Sequence, residues 1–313
     1  MAIVENVMDL KVAVLLAAYN GEKWIEEQLM TILNQSDVNP DIYIGLDLST
    51  DETVEIIARL SERYPQIRVL PYGLKFGGAA PNFYHLLLNA PIEYYDYIAL
   101  ADQDDLWLAN KLKRAIDVLN AGDNYGYSSN FTAFWENGTR KTVRKDYPQC
   151  EYDYFFESPG PGCTFVFKKE LALPIKEYLI SFPDLSGLDW HDWLIYAFAR
   201  AKQYKWIIDN KSYILYRQHI NNQLGVNLGF FAFAKRIKSI ISGYGLNQSL
   251  RLIRYLRLTE NAFIATWYRN DKINYLVLAF NAIKCRRRMR DKIFFFFACV
   301  LMAILQPQSI LDE

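Results

Sequence analysis

The chain has no excess of either charge, because its 313 residues carry 35 basic and 35 acidic side chains. A protein that binds nucleic acid through its overall field would be strongly basic, so nothing here indicates a nucleic-acid partner. The four cysteines lie far apart and form no CxxC pair. Neither a zinc knuckle nor a disulfide framework is therefore predicted, and we expect a reducing, cytoplasmic setting.

The sequence also lacks a run of about 20 apolar residues, the length that a membrane-spanning helix needs. The one membrane-like feature is a run of 13 apolar residues, Ile293 to Leu305, which follows a basic stretch from Lys284 to Lys292. Such a pair of segments favours a peripheral contact with the anionic inner face of the cell membrane. Packing on the catalytic domain, or on the second subunit of a homodimer, is an equal alternative.

The pattern from Lys11 to about Leu119 alternates short apolar runs with longer amphipathic ones, which is typical of βαβ units and a parallel sheet. We predict strands at 12–18, 41–46, 67–71 and 97–101, and helices at 22–33, 53–64, 81–88 and 111–120. The region from Gly122 to Asp153 shows no clear period, whereas 186–200 is predicted to be a helix and 205–216 one or two strands. After about Gly225 basic amphipathic helices follow, so we predict a catalytic domain over residues 1–225 and a helical extension over 226–313.

Three acidic side chains, Asp102, Asp104 and Asp105, crowd the turn after the fourth predicted strand. Ligands of open α/β sheets bind outside the carboxyl ends of strands, and the Tyr19-Asn20 pair and Asp47 also follow strands. Carboxylates this close repel each other unless a cation neutralises them, so Mg²⁺ or Mn²⁺ is the economical explanation. The alternative is a cluster of helix-capping and turn residues.

Asp192 lies near the start of the helix predicted at 186–200, where the helix dipole would keep its carboxyl group ionised. An ionised carboxylate suits a general base that takes a proton from a sugar hydroxyl. Trp190 and Trp193 flank it, and aromatic faces commonly bind pyranose rings. The alternative for Asp192 is an acid that only stabilises the helix.

Other polar residues near strand ends are candidates for the same site. His219 could supply a third metal ligand, although a single histidine is more often structural. Arg217 could contact a diphosphate. Asp47 could accept the N3–H of a pyrimidine base, or belong only to the cap of the following helix.

The chain resembles the family 2 glycosyltransferases of GT-A fold over about residues 11–222, particularly bacterial rhamnosyltransferases that build cell-surface polysaccharides. The resemblance depends on six short motifs in the expected order: Ala18-Tyr-Asn-Gly21, Asp47-Leu-Ser-Thr-Asp51, Ala101-Asp-Gln-Asp-Asp-Leu-Trp107, Pro161-Gly-Cys-Thr164, His191-Asp-Trp193 and Tyr216-Arg-Gln-His219. It implies an α/β fold with a Rossmann-like, mostly parallel sheet flanked by helices.

The resemblance also implies roles for individual residues. The nucleotide sugar would contact Ala18, Tyr19, Asn20, Glu22, Asp47, Asp102, Gln103 and Arg217. The metal ligands would be Asp102, Asp104 and His219, and Asp192 would be the catalytic base of a single inverting displacement. The acceptor would contact Trp190, His191, Trp193, Gly162 and Cys163.

Two departures from the family pattern affect the choice of substrate. The family usually shows a pair of aspartates followed by glycine, whereas this chain has Leu46-Asp47-Leu48. The QxxRW signature of processive synthases is absent, so addition of one or a few sugars is expected. We expect dTDP-rhamnose as the donor and a saccharide or lipid-linked saccharide as the acceptor. The alternatives are a nucleotidyltransferase and a non-catalytic sugar-binding subunit of the same fold.

Overall fold

The computed structural model describes residues 10–182, 187–219, 243–268 and 272–305. Its strands are β1 (Val12–Ala18), β2 (Asp41–Leu46), β3 (Ile67–Val69), β4 (Tyr97–Asp102), β5 (Leu106–Trp107), β6 (Gly126–Phe134), β7 (Arg140–Val143), β8 (Val166–Lys168) and β9 (Trp206–Arg217). They form one sheet in the order β3-β2-β1-β4-β8-β6-β9-β5, with β7 paired to β6.

Helices cover both faces of this sheet. They are α1 (Ile25–Leu33), α2 (Thr53–Arg63), α3 (Ala79–Asn89), α4 (Lys111–Asn120), α5 (Lys169–Ser181), α6 (His191–Ala201), α7 (Tyr244–Tyr255), α8 (Ala262–Ala265), α9 (Lys272–Phe280), α10 (Ala282–Cys285) and α11 (Met289–Leu305). Short 3₁₀ turns lie at Ile92–Tyr94, Asp153–Phe155 and Gly162–Thr164. The predicted α/β class with a Rossmann-like sheet between helices is confirmed.

The first four strands form the parallel part of the sheet, as the alternation of runs predicts. β1 pairs in parallel with β2 and β4, and β2 with β3. Along β1, Val14 and Leu16 join one core cluster while Ala13 and Leu15 join the other, because successive side chains of a strand face opposite sides. A strand buried on both faces reads as a continuous apolar run, so the sequence revealed it.

The strand β6 lies inside the sheet, yet the sequence pattern did not predict it. Its middle carries the buried polar residues Ser128, Ser129 and Asn130. The Asn130 amide donates to the Asp146 carboxylate and to a backbone carbonyl of the β9 strand, so its polar groups are satisfied. β8 pairs antiparallel with both β4 and β6, which makes this half of the sheet mixed.

Several helices begin later than the sequence indicated. α1 begins at Ile25 rather than at 22, because Asn20 adopts a positive φ of 47° and directs the chain into a turn. α6 begins at His191, and Ser186, the predicted start, lies outside the described residues. Asp192 is consequently the second residue of α6 and lies in its first turn.

The C-terminal helices share a core with the α/β part. Leu250, Ile253, Trp267, Leu278 and Cys299 belong to the same buried cluster as residues of α3, α5 and α6. The predicted boundary at 225/226 lies outside the described residues. In the described ranges, none of the helices combines the length and the apolar character needed to cross a bilayer.

Candidate active site

The loops after β1 and β2 are joined by hydrogen bonds at the carboxyl end of the sheet. The Asn20 side chain accepts from the Thr50 backbone N–H at 2.8 Å, and the Asn20 N–H donates to the Ser49 hydroxyl at 3.1 Å. The Gly21 N–H donates to the Thr53 hydroxyl at 2.7 Å, where α2 begins. These contacts fix two of the predicted nucleotide-binding motifs against each other.

Glu22 continues this joint between the two loops. Its N–H donates to the Asp51 carboxylate at 3.1 Å, and its own carboxylate accepts from the Glu52 N–H at 3.1 Å. Ala18 is buried at the end of β1, whereas the Tyr19 side chain is 53% exposed. Tyr19, Asn20 and Glu22 are exposed, and the Tyr19 ring thus offers an aromatic surface to a ligand.

Asp47 directly follows β2 and accepts three backbone hydrogen bonds. Its Oδ1 accepts from Leu48 at 2.8 Å and from Phe76 at 3.1 Å, and its Oδ2 accepts from Gly77 at 3.0 Å. The carboxylate thus anchors the segment that precedes α3. Because each carboxylate oxygen accepts about two hydrogen bonds, Oδ2 retains one acceptor direction for a ligand.

Gln103 joins the ends of β1 and β4 through its side-chain amide. Its Nε2 donates to the Tyr19 carbonyl at 2.7 Å, and its Oε1 accepts from the Tyr19 N–H at 2.7 Å. A Cβ at Gly21 would come within 2.5 Å of that Oε1, so glycine is needed at this position. The Gln103 side chain supports the nucleotide loop from within the protein.

The structure joins two of the three predicted metal ligands, Asp104 and His219, by a direct contact. The His219 Nε2 lies 2.7 Å from the Asp104 Oδ2, and the His219 ring stacks on Trp24 with 4.2 Å between centroids. Asp102 ends β4 two residues before Asp104. Burial, followed by the charges of Asp104 and Asp192, raises the pKa of Asp102 to about 7.

Arg217, predicted to contact a diphosphate, is held within this region. Its Nε donates to the Asp104 carbonyl at 2.8 Å, and one Nη lies 2.7 Å from the Glu27 carboxylate. Its backbone N–H donates to the Asp105 carboxylate at 3.1 Å. Arg217 therefore orders the turn that carries Asp104, whatever contact it makes with a ligand.

Sequence reasoning missed the buried cluster behind this turn. A carboxylate oxygen from each of Asp102 and Asp105 and the Cys163 sulfur lie within 4.8 Å of one another. Lys111 is also buried, with its Nζ 3.5 Å from the centroid of the Trp107 ring, and burial lowers its pKa to about 7. The available signal was the third acid of the motif, since a carboxylate on the buried side of a turn needs nearby polar groups.

Asp192 is 8% exposed, and its Oδ1 accepts from the Trp193 N–H at 2.7 Å. Burial raises its pKa to about 6, although the Trp193 N–H, the neighbouring Ser158 hydroxyl and the charge of Lys145 act to lower it. The expectation that the helix dipole dominates was incomplete, because loss of hydration has the larger effect here. A raised pKa places this carboxyl group in the range in which general bases work.

The residues predicted to contact the acceptor differ in exposure. His191 is half-buried, with its Nε2 shielded from solvent, and its ring stacks on Phe83 with 4.0 Å between centroids. Burial lowers its pKa to about 3. Its Nε2 lies 2.5 Å from where a Cβ of Gly162 would be, so a side chain there would displace the ring.

The Trp193 indole N–H donates to the Tyr154 carbonyl at 2.8 Å, and Cys163 is fully buried. Trp190 is only partly buried and lines a cleft.

Two arginines of the C-terminal region hold the segment beside Asp192. Arg286 donates to the Phe156 carbonyl at 2.7 Å, and Arg287 donates to the Ser158 carbonyl at 2.6 Å. Arg287 also pairs at 3.1 Å with Asp153, which is fully buried. Part of the basic stretch that the sequence suggested for a membrane surface is therefore turned into the protein.

Comparisons with known proteins identify the family of the chain. Residues 13–172 match the sequence family described as Glycosyl transferase family 2. The chain belongs to this family and is a glycosyltransferase.

The chain is also similar to individual members of the family. The chain is 41% identical over 288 residues to the dTDP-rhamnosyl transferase RfbG of Shigella flexneri, across 91% of this chain and 99% of that protein. It is 25% identical over 190 residues to WfgD of Escherichia coli, a UDP-Glc:alpha-D-GlcNAc-diphosphoundecaprenol beta-1,3-glucosyltransferase, across 59% of this chain and 69% of that protein. TarS 1-349 of S. aureus, solved in complex with UDP-GlcNAc, has a TM-score of 0.52 and 14% identity, covering 95% of this chain and 93% of that one, and thus shares the fold.

Proposed function

We propose that this protein is an inverting rhamnosyltransferase that moves a rhamnosyl group from dTDP-rhamnose to a hydroxyl of a saccharide or lipid-linked saccharide. The observation that carries the proposal is the arrangement of Asp102, Asp104 and Asp192, two carboxyls at the end of β4 and a third close to them from α6. The choice of donor is supported by the 41% identity to a dTDP-rhamnosyl transferase over 91% of the chain.

A divalent cation, Mg²⁺ or Mn²⁺, fits the residues at the end of β4. Asp102 and Asp104 offer oxygen ligands, and the Asp104–His219 contact of 2.7 Å places an imidazole nitrogen beside them. The pKa of Asp102 is raised by burial and by two carboxylates, a situation that a bound cation would relieve. When bound, the ion would neutralise the charge of the leaving diphosphate.

Asp192 serves as the general base in this proposal. Its carboxylate takes the proton of the acceptor hydroxyl while that oxygen forms a bond to the anomeric carbon. The bond from the anomeric carbon to the diphosphate oxygen breaks on the opposite face, and the electron pair leaves with dTDP. One such displacement inverts the anomeric configuration.

The nucleotide is expected at the loops after β1 and β2. The exposed Tyr19 ring offers a stacking surface, and the Asp47 Oδ2 has one acceptor direction left for the N3–H of thymine. Asn20, Glu22 and Gln103 hold these loops in place. Two further residues were predicted to contact the nucleotide sugar. Ala18 packs at the end of β1, and Arg217 orders the turn that carries Asp104.

A panel of nucleotide sugars tests the donor. We expect dTDP-rhamnose with Mn²⁺ to raise the melting temperature, because a ligand that binds only the folded state stabilises it. Incubation with a saccharide acceptor should then release dTDP and give a product of inverted configuration by NMR. Stabilisation by UDP-sugars alone would refute the donor, and release of pyrophosphate would indicate a nucleotidyltransferase.

A membrane surface is the partner we propose for the C-terminal helices. Large apolar side chains on α9, α10 and α11 are exposed to solvent and define what we call the apolar face: Ile273, Phe280, Ile283, Met289, Ile293, Phe297 and Ile304. On α11, members recur at 289, 293, 297 and 304, close to the helical period. Phe280 of α9 contacts Phe296 of α11, so the two helices contribute to one surface.

Charge favours an anionic bilayer over a second copy of this chain as the occupant. Lys272, Lys284 and Arg290 are exposed on the same helices. Lys284 pairs with Glu151 at 3.1 Å and Arg290 with Asp291 at 3.2 Å. A two-fold contact would bring these basic groups toward their own copies, while anionic lipid headgroups would neutralise them. WfgD, a relative of this chain, acts on an acceptor linked to diphosphoundecaprenol, which supports the choice of a lipid surface.

Vesicle binding tests this surface. We expect the protein to sediment with phosphatidylglycerol vesicles, and the double variant Phe280→Ser, Phe297→Ser to bind at least about tenfold more weakly, since each buried phenylalanine contributes about 1.5–3 kcal/mol. The matched control is Tyr94→Ser, Ile180→Ser, at side chains that are 71% and 63% exposed elsewhere. A dimer that the first double variant dissociates, without vesicle binding, would identify a second copy as the occupant.

A further inference from the structure

A cleft with a volume of about 750 Å³ lies between α3 and the segment that leads into α6. Tyr84 and His85 of α3 line one side, and Asp189 and Trp190 line the other. Tyr244 of α7 also lines it. Its volume is in the range of about 300–1,000 Å³ that is usual for small-molecule sites.

Two polar atoms on α3 are buried at this cleft without a hydrogen-bond partner in the described part of the chain: the Tyr84 hydroxyl and the His85 Nε2. Tyr84 is 7% exposed, so water in bulk solvent does not satisfy its hydroxyl. The His85 Nδ1 lies 3.1 Å from the Asn89 amide nitrogen, which donates to it, so Nε2 carries the ring proton. Buried polar groups normally have partners, and these two await a donor or acceptor from a ligand.

The cleft lies beside the proposed catalytic base. Trp190 comes two residues before Asp192, and the charge of Asp192 acts on the Tyr84 hydroxyl. Gly77, another lining residue, donates to Asp47 at 3.0 Å. The proposed metal ligands Asp102, Asp104 and His219 do not line the cleft. It is therefore adjacent to the donor region, which it meets at Gly77.

The lining excludes two of the three ligands that this enzyme would handle. Among the described residues that form the cleft there is no lysine or arginine, and the carboxylate of Asp189 would repel a diphosphate. A hydrocarbon chain would leave the Tyr84 hydroxyl and His85 Nε2 unsatisfied. A neutral sugar has hydroxyls for both atoms and an apolar face for Trp190.

We propose that this cleft binds the acceptor saccharide, with hydrogen bonds from its hydroxyls to Tyr84 and His85 and with one ring face on Trp190. The assignment rests on the proposed glycosyl transfer and gives that reaction a second substrate site. Neither Tyr84 nor His85 belongs to the short motifs through which the family resemblance was found.

The C-terminal region contributes to this site. The Tyr244 hydroxyl donates to the Asp189 carboxylate at 2.6 Å, and the Gln248 amide donates to the same oxygen at 3.2 Å. Gln248 also donates to the Gly187 carbonyl at 2.9 Å. The segment before α6 is thus held by α7, which lies outside the 13–172 family match. Acceptor choice therefore depends on a part of the chain that the family match does not include.

The test uses Tyr84→Phe, which removes the hydroxyl and keeps the ring. With methyl pyranosides as acceptors, we expect the acceptor KM to rise about 3- to 10-fold, the effect of one hydrogen bond, and kcat to change little. Hydrolysis of the donor without acceptor and the affinity for dTDP should be unchanged. The melting temperature should stay the same or rise, because an unsatisfied buried hydroxyl has been removed. Tyr94→Phe, on an exposed ring, is the matched control.

Each other outcome assigns the cleft differently. A changed affinity for dTDP in Tyr84→Phe would overturn the proposal in favour of a donor site. An unchanged KM for methyl pyranosides, with tighter binding of octyl glycosides, would overturn it in favour of a lipid site. If the unmodified protein does not hydrolyse the donor, the proposed glycosyl transfer itself is refuted. Failure of the acceptor-site proposal and failure of the proposed function are therefore distinguishable.

Discussion

Asp102 and Asp192 lie on separate elements, at the end of β4 and in the first turn of α6, yet their carboxyl groups interact. Burial is the main cause that raises the pKa of Asp102 to about 7, and the charges of Asp104 and Asp192 add to it. Such an interaction requires the groups to be close in a region of low dielectric constant. The metal side and the base side of the proposed reaction are therefore parts of one site.

Substitution of Asp192 by asparagine tests the base. Asn keeps the size of the side chain but accepts no proton, so we expect kcat to fall about 10²- to 10⁴-fold. Binding of dTDP-rhamnose, measured by calorimetry, should stay within about twofold. Asp117→Asn, at a carboxyl group that is 53% exposed on α4, should retain its kcat. Full turnover by the Asp192 variant would remove this residue from the mechanism.

The pH dependence of kcat follows from the pKa of Asp192. Burial raises that pKa to about 6, and only the ionised form takes a proton. We therefore expect kcat to rise with pH through about 6 and then to level off. Because an unfolded aspartate has a pKa of about 3.9, the same shift should lower the free energy of unfolding as pH rises from about 4 to about 6. An acid limb near pH 4 would contradict the raised pKa.

Lys145 should set the position of that acid limb. Its charge lowers the pKa of Asp192, while the charge of Asp192 in turn raises the pKa of Tyr84 and of Asp102. In Lys145→Met we expect the acid limb to move to higher pH. The kcat at pH 6 should therefore fall more than the kcat on the plateau. Lys145→Arg keeps the charge and should restore the original profile. A profile that is identical in all three proteins would show that Lys145 does not act on the base.

Asp104 is the residue to test for the cation. Asp104→Asn removes a charged ligand and the partner of His219, so we expect the affinity for Mn²⁺ to fall at least about tenfold. The stabilisation by dTDP-rhamnose should then be independent of Mn²⁺. EDTA should no longer abolish it. Asp123→Asn, at a carboxyl that is 70% exposed, is the control. Unchanged Mn²⁺ binding by the Asp104 variant would place the ion elsewhere, for example at Asp105 and Cys163.

Arg287 should be essential for stability. Its side chain is 2% exposed and pairs with the fully buried carboxylate of Asp153. Asp153 would keep its pair with Arg200 at 3.0 Å but lose one of its two cations, so Arg287→Met should lower the free energy of unfolding by about 1.5–3 kcal/mol in urea. Arg290→Met, at a side chain that is 58% exposed, should change it by less than about 0.5 kcal/mol. Equal effects of the two variants would contradict this account.

The sequence predicted the parallel strands and the acidic turn for the same physical reason. Strands buried on both faces are unbroken apolar runs, and Asp102 follows such a run directly, so its place at the sheet edge could be read from the pattern. The position of Asp192 at a helix start was readable as well, although its environment was not. Burial is a property of the tertiary structure, and it reversed the expected direction of the pKa shift.

Other parts of the site depend on contacts between residues far apart in sequence. The strand β6 was hidden because Ser128, Ser129 and Asn130 interrupt its apolar pattern. The cleft was hidden because Tyr84 and Trp190 meet only after α3 packs beside α6. Predicted roles for His191 and Trp193 did not anticipate that Trp193 would be buried and His191 half-buried, since flanking residues on a helix face different directions.

The Arg287–Asp153 pair has a consequence for anyone who wishes to produce a shorter form of this enzyme. A fragment trimmed to the family-matched residues 13–172 would retain Asp153 and lose the guanidinium groups of both Arg200 and Arg287 that neutralise it. It would also expose the side of the core on which the C-terminal helices pack. Such a fragment should accumulate as insoluble material when expressed, and crystallisation or drug-screening efforts should begin from the full-length chain.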